Sequence, residues 1–181
     1  MSEFQTHCLD TFPEWLRTLA SDALDASRLL SSSVAAEPAR RYVAGGLNYL
    51  FKSLDLIPDG IEDLGFLDDA FVLRSAAALA LAEAPDAVRD APILSRLASE
   101  TKLIKDFLER DYARLEKYVK GLAKGAARGR TVDEIVTDAA VLSAFTLELE
   151  AWVSSYQAPG FARDEKNLVK LRSFLAAKLP A

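Results

Sequence analysis

The sequence predicts an all-α fold, a compact bundle of six or seven helices, on three observations. Apolar side chains recur at three- and four-residue intervals along most of the chain. No run of alternating β-branched residues is bounded by hairpin turns. Only eight glycines and seven prolines punctuate its 181 residues, and most fall where helices begin, end or touch. That length suits one domain spanning 1–181, large enough to bury about two-thirds of the unfolded surface. Half the residues are apolar and 27% charged, a composition that folds. A net charge of −5 argues against nucleic-acid binding by whole-domain charge. One cysteine, Cys8, cannot form an intramolecular disulfide. The N-terminus lacks the basic start and apolar run of a secretory signal. The longest apolar stretch, Phe71 to Ala82, is too short to span a bilayer and carries Arg74. The expectation is a soluble, cytoplasmic protein.

Residues 1–12 read as a frayed end, and the first helix opens at Pro13, whose missing N–H costs nothing in a first turn. Trp15, Leu16, Leu19, Ala23, Ala26, Leu29 and Leu30 follow at helical spacing until Ser31–Ser33. Pro38 opens a second helix that buries Tyr42, Val43, Leu47, Leu50, Phe51 and Leu54. Gly45 and Gly46 lie inside it, each costing about 1 kcal/mol against alanine. A close backbone approach would offset that cost, and the run Ala76–Ala84 is the expected neighbour. Asp68 reads as the cap of the third helix, with Asp69 at the positive end of its dipole, and Pro85 stops it. Pro92 starts a long helix to about Gly121, seamed by Leu97, Ile104, Leu108, Leu115 and Leu122. Residues 121–130, GLAKGAARGR, form a glycine-broken basic connector. Thr131 and Glu134 make a capping box for a helix running to about Tyr156. After Ala158-Pro159-Gly160, a last helix at about 163–178 buries Leu168, Leu171, Phe174 and Leu175.

The stretch between the second and third helices is unlike the rest. Six carboxylates, Asp55, Asp59, Glu62, Asp63, Asp68 and Asp69, fall within fifteen residues that contain no Lys or Arg. Two local readings stand side by side. In one, Asp55 caps a short helix from Leu56 to Leu64, with Ile57, Ile61 and Leu64 inward, Asp59, Glu62 and Asp63 outward, and Gly65 closing it. In the other, Ile57-Pro58-Asp59-Gly60 is a plain turn.

The succession Tyr49-Leu50, Leu54-Asp55-Leu56-Ile57-Pro58-Asp59, Gly65-Phe66-Leu67-Asp68-Asp69 and Val72-Leu73 resembles the signature of the YkvA-like family, a domain of unknown function. Its core reads approximately Pro-x-Asp-Leu-Ile-Pro-Asp and then Gly-x-Leu-Asp-Asp. The resemblance occupies residues 44–84 or so and leaves about 92–181 as a C-terminal helical extension. Ser53 stands where many members have proline, and Gly60-Ile61 where they often have Ile-Pro. It implies a motif set of Asp55, Leu56, Ile57, Pro58, Asp59, Gly65, Leu67, Asp68 and Asp69, with no established activity or cofactor. Many members are short bacterial proteins thought to sit at or in membranes; this chain lacks their hydrophobic length.

Converging carboxylates need a counter-charge, since two charges about 4 Å apart repel by about 4 kcal/mol at an effective dielectric near 20. A divalent ion, Mg²⁺ or Ca²⁺, held by Asp55, Asp59, Asp68 and Asp69 would supply it. So would Arg40, Arg41, Lys52 or Arg74. Counted from Asp55, an EF-hand loop fails, with Ile57 and Phe66 at ligand positions. Caps, dipole and exposure account for the same acids without an ion, so the expectation is no metal and no cofactor. His7 and Cys8 lack partners for zinc, and the single histidine leaves a triad to one frayed residue. Ser31–Ser33 is no phosphate loop. Trp15 and Trp152 read as packing residues.

From 86 to 130 the chain carries eleven Lys/Arg against seven Asp/Glu, so the segment is basic and the remainder acidic. Lys117, Lys120, Lys124, Arg128 and Arg130 are the candidate anionic surface, with Glu116 the only acid close in sequence. No aromatic is interleaved for stacking RNA, and a solvated face is the simpler reading. The sequence therefore points to a non-catalytic helical adaptor or regulatory module. Protein partners or self-association come first, an anionic membrane surface second, and nucleic acid is disfavoured. The alternative is a divalent-metal-dependent hydrolase built on Asp55, Asp59, Asp68 and Asp69.

Overall fold

The computed structural model describes residues 1–181 as one all-α bundle. Seven helices have eleven or more residues: α1 (Glu3–Ser27), α2 (Glu37–Tyr49), α3 (Leu67–Glu83), α4 (Ile93–Leu108), α5 (Tyr112–Leu122), α7 (Ala139–Ser155) and α8 (Glu165–Lys178). A six-residue helix, α6 (Val132–Thr137), precedes α7. The only paired strands are a small antiparallel hairpin, β1 (Ala126–Ala127) with β2 (Arg130–Thr131). No helix is long and apolar enough to cross a membrane.

Helix α3 is the axis of the molecule. From Leu67 to Ala77 every residue is buried, and α2 and α4 pack along its two sides. Helix α1 crosses it through an aromatic cluster in which Phe12 stands 5.3 Å from Phe71 and 5.2 Å from Phe107, ring centroid to centroid, both edge to face. Gly46 lets α2 approach α3: a Cβ there would lie 2.7 Å from the Ala76 Cβ, the contact expected from the alanine run. Gly45 faces the backbone at Leu122–Ala123 instead.

Several expected boundaries move. Helix α1 starts at Glu3, because Ser2 and Gln5 form a reciprocal capping box and Cys8, Leu9 and Phe12 bury the first turns. Pro13 is thus interior, at the cost of one backbone hydrogen bond. The long helix from Pro92 breaks at Glu109, whose φ is +53°, and resumes as α5. The helix opened by the Thr131–Glu134 box stops at Thr137, and Asp138 caps α7 by accepting from the Ala140 and Val141 N–H groups. The basic connector folds back on itself at Arg128 and Gly129, both at positive φ, which makes the hairpin. Leu54, expected inside, is 81% exposed.

Candidate functional site

The loop from Leu50 to Phe66 leaves α2, turns twice and re-enters at α3, and it contains no helix at 56–64. Of the two local readings, the turn is the nearer one, closed over Pro58–Ile61 and so one residue later than expected. The Ile61 N–H donates to the Pro58 carbonyl at 3.0 Å, and the Gly65 N–H to the Ile61 carbonyl at 2.9 Å. Asp63 and Phe66 both take left-handed backbone, at φ of +65° and +66°. Gly65 lies so close to the preceding turn that a Cβ would stand 2.1 Å from the Asp59 carbonyl oxygen.

Asp68 is no cap. The residue before α3 is Phe66, with no side-chain cap bond, and Asp68 lies in the first turn, fully buried. Its Oδ2 accepts from the Tyr49 hydroxyl at 2.5 Å and from the Ile57 N–H at 3.0 Å. The same hydroxyl accepts from the Leu56 N–H at 2.7 Å. Thus the end of α2, the Leu56-Ile57 backbone and the start of α3 are closed into one clasp by two side chains. Leu56, Ile57 and Leu67 are buried beside it, whereas Pro58 and Asp59 stand at the exposed rim.

Asp55, whose expected helix does not form, joins Asp68 and Asp69 in an acid centre, while Asp69 lies in the first turn of α3 as its place at the helix dipole requires. Asp55 Oδ1, Asp68 Oδ1 and Asp69 Oδ2 are buried atoms with no hydrogen-bond partner. Burial pushes the Asp55 carboxyl up to about 7, helped by the charges of Asp68 and Asp59 and opposed by Lys52. Asp68 is raised to about 6 by burial, against the hydrogen bonds from Tyr49 and Ile57. Asp69 is raised well above the ordinary carboxylate range, first by burial and then by Asp68, Asp59 and Asp55. The Tyr118 hydroxyl, pushed up to about 12, feels the same acids after burial. No three His, Cys, Asp or Glu side chains are grouped so as to hold a metal ion.

The expected counter-charges are elsewhere. Arg74 turns its guanidinium away, donating to Glu100 at 2.7 Å and reaching Asp22 at 3.4 Å, with the Trp15 ring 4.1 Å from its Cζ. Arg41 pairs with Glu37 and Asp133, and Arg40 reaches the Val136 carbonyl. Lys52 alone is left near Asp55, and its Nζ lies 5.6 Å from the Tyr118 ring.

How the motif reaches the C-terminal half is visible only in the folded chain. Phe66 packs edge to face on Tyr156 at 5.3 Å, and Asp63 accepts from the Ala162 N–H at 2.9 Å. The Tyr156 hydroxyl in turn donates to the Leu16 carbonyl. Aromatic residues ending an amphipathic helix were the available signal, but nothing in their spacing names the loop they meet.

The basic segment is not a continuous free patch. Arg128 and Arg130 both pair with Glu148 on α7, an acid eighteen or more residues away in the chain. Arg130 also lies over Phe145 and Phe51. Lys120 pairs with Glu116, and Lys117 reaches the Ala181 carbonyl, which leaves Lys124 exposed. His7 is exposed beside Thr11, whereas Cys8 is buried and its thiol is pushed up to about 11 by that burial.

No curated protein and no solved structure matches the chain. A family model described as "Protein of unknown function (DUF1232)" matches residues 39–73, from the first turn of α2 through the clasp to the second turn of α3. The matched stretch contains every residue of the clasp and of the acid centre in this chain, and it leaves α1 and α4 to α8 outside it.

Proposed function

We propose that the protein is a YkvA-like helical module without catalytic activity, acting in the cytoplasm as an adaptor or regulator through its outer surfaces. The observation that carries this reading is the use of Asp68: its oxygen is engaged by a tyrosine hydroxyl and a backbone N–H, which shapes the loop and leaves it facing away from solvent. The motif then serves as an internal fastening, and recognition falls to the surface. Pairing of Arg128, Arg130 and Lys120 within the chain favours a protein partner or self-association over an anionic membrane. Co-sedimentation with anionic against neutral liposomes tests that choice: equal and negligible pelleting is expected, and selective pelleting with anionic lipid would bring the membrane forward.

A second reading has one observation in its favour. Three unpartnered carboxylate oxygens at Asp55, Asp68 and Asp69, with Asp59 nearby, are the raw material of a Mg²⁺- or Ca²⁺-dependent hydrolase. Melting curves with and without millimolar Mg²⁺, Ca²⁺ or Mn²⁺ decide, because an ion bound only by the folded state raises the transition by mass action. The non-catalytic module predicts unchanged curves; a rise of several degrees that Asp69→Asn abolishes would replace it.

A further inference from the structure

On the side where α8 meets α1 and α4, a cavity of about 170 Å³ opens between Phe4, Phe107, Leu168 and Val169, with Ser173 and Arg172 at its polar edge. It is separate from the clasp, and neither the motif nor the cations from Lys117 to Arg130 contribute to it. Four of its seven lining residues are apolar, Gln5 and Ser173 add neutral polar groups, and its charge comes from one guanidinium. The Arg172 Cζ lies 5.0 Å from the Phe107 ring centroid, so the ring steadies the guanidinium on one side. The carboxylate paired with it, Glu109, stands 3.8 Å away, beyond hydrogen-bond distance, and is 70% exposed. A planar head with five N–H donors thus lines a mostly apolar pocket and is only loosely neutralised.

Size and charge together define what fits. An apolar cavity of about 150 Å³ takes up benzene, so this one has room for a six-membered ring or a chain of similar bulk. A guanidinium selects a carboxylate through two parallel hydrogen bonds, and one such group satisfies it. A phosphate would find a single cation among seven lining residues, four of them apolar; an ammonium would meet the wrong sign. We propose that the α1–α4–α8 pocket binds a small monocarboxylate with an aromatic ring or short alkyl chain, Arg172 taking the carboxylate and Phe4, Phe107, Leu168 and Val169 the apolar body. Ser173 and Gln5, which also line the pocket, can supply further neutral donors to the bound carboxylate.

Titration of the full chain, followed by calorimetry or amide chemical shifts, tests this with benzoate and hexanoate beside benzyl alcohol, hexanol and acetate. The two acids are expected to saturate and to bind on the order of tenfold more tightly than the matching alcohols, the size of one charge-assisted contact. Acetate, with no apolar body, is expected to bind more weakly than either. Arg172→Gln should erase the advantage of acid over alcohol, and Arg172→Lys should restore only part of it because the planar fork is lost. Val169→Trp, at a position 63% exposed, should fill the pocket and block acids and alcohols alike without lowering the melting temperature. Acids and alcohols binding equally, acid binding that survives Arg172→Gln, or no saturation up to the solubility of the ligands would each overturn the proposal.

Discussion

At its first turn α3 buries two carboxylates with no cation beside them; further along it buries a guanidinium inside a ring of acids. Arg74 is completely enclosed, yet it donates to Glu100, reaches Asp22 and the Ala70 carbonyl, and lies on Trp15, while Arg96 ties the same two acids from outside. Burial lowers its pKa only to about 10, so it stays charged at neutral pH. The acid centre has hydrogen bonds for one oxygen of Asp68, and repulsion among Asp55, Asp68 and Asp69. A buried charge holds when partners of opposite sign arrive in the same pocket, and otherwise the site drifts toward neutrality by taking up protons. One helix therefore carries a permanent ionic rivet and a centre whose charge follows pH.

The largest expected effect is at the rivet. Arg74→Met leaves Asp22 buried without its enclosed partner and should cost about 3–5 kcal/mol in urea denaturation. A loss below about 1 kcal/mol would mean that Arg96 alone neutralises Asp22, and the contrast between the two clusters would fail. Next comes the clasp: Tyr49→Phe strands the Leu56 N–H and removes a donor from Asp68, for an expected loss of about 2–3 kcal/mol. Stability unchanged in Tyr49→Phe would show that water replaces the hydroxyl.

The acid centre should also show itself in pH dependence. An aspartate whose folded pKa lies above its unfolded value holds more protons folded than unfolded, so it lowers stability as pH rises through that interval. With Asp55 at about 7 and Asp68 at about 6 in the folded state, the window runs from the ordinary carboxylate range near 4 up to about 7. The melting temperature should rise as pH falls from about 7 to about 5, within that window. Asp69→Asn should flatten the rise and add about 1 kcal/mol at the upper pH. A profile that instead climbs with pH would show the centre ionised and compensated. The smallest effect is expected at the surface, where Arg128→Ala should change stability by less than about 1 kcal/mol because its partner Glu148 keeps Arg130.

Periodicity made the helices legible wherever one face is apolar and the other polar, as in Leu168, Leu171 and Leu175 of α8 or the Thr131–Glu134 box of α6. It failed where a break depends on a distant contact. Glu109 ends α4 with unremarkable neighbours in sequence, and nothing local foretells its positive φ. The motif residues were legible as a set, but the role of Asp68 was not: a cap and a buried acceptor look identical until Tyr49 is placed beside it.

Arg74 shows the same division. An arginine in the middle of an apolar run announces that some acid must come to meet it, because an unpaired buried cation is too costly. Which acid comes was decided by the crossing of α1 and α4 over α3, which delivers Asp22 and Glu100 and leaves the motif carboxylates without it. Amphipathic patterns and turn residues act within a few positions of themselves, so by themselves they set most of the helices and the need for compensation. Pairing of charges is settled across tens of residues, by the way helices cross, and only the folded molecule holds that information.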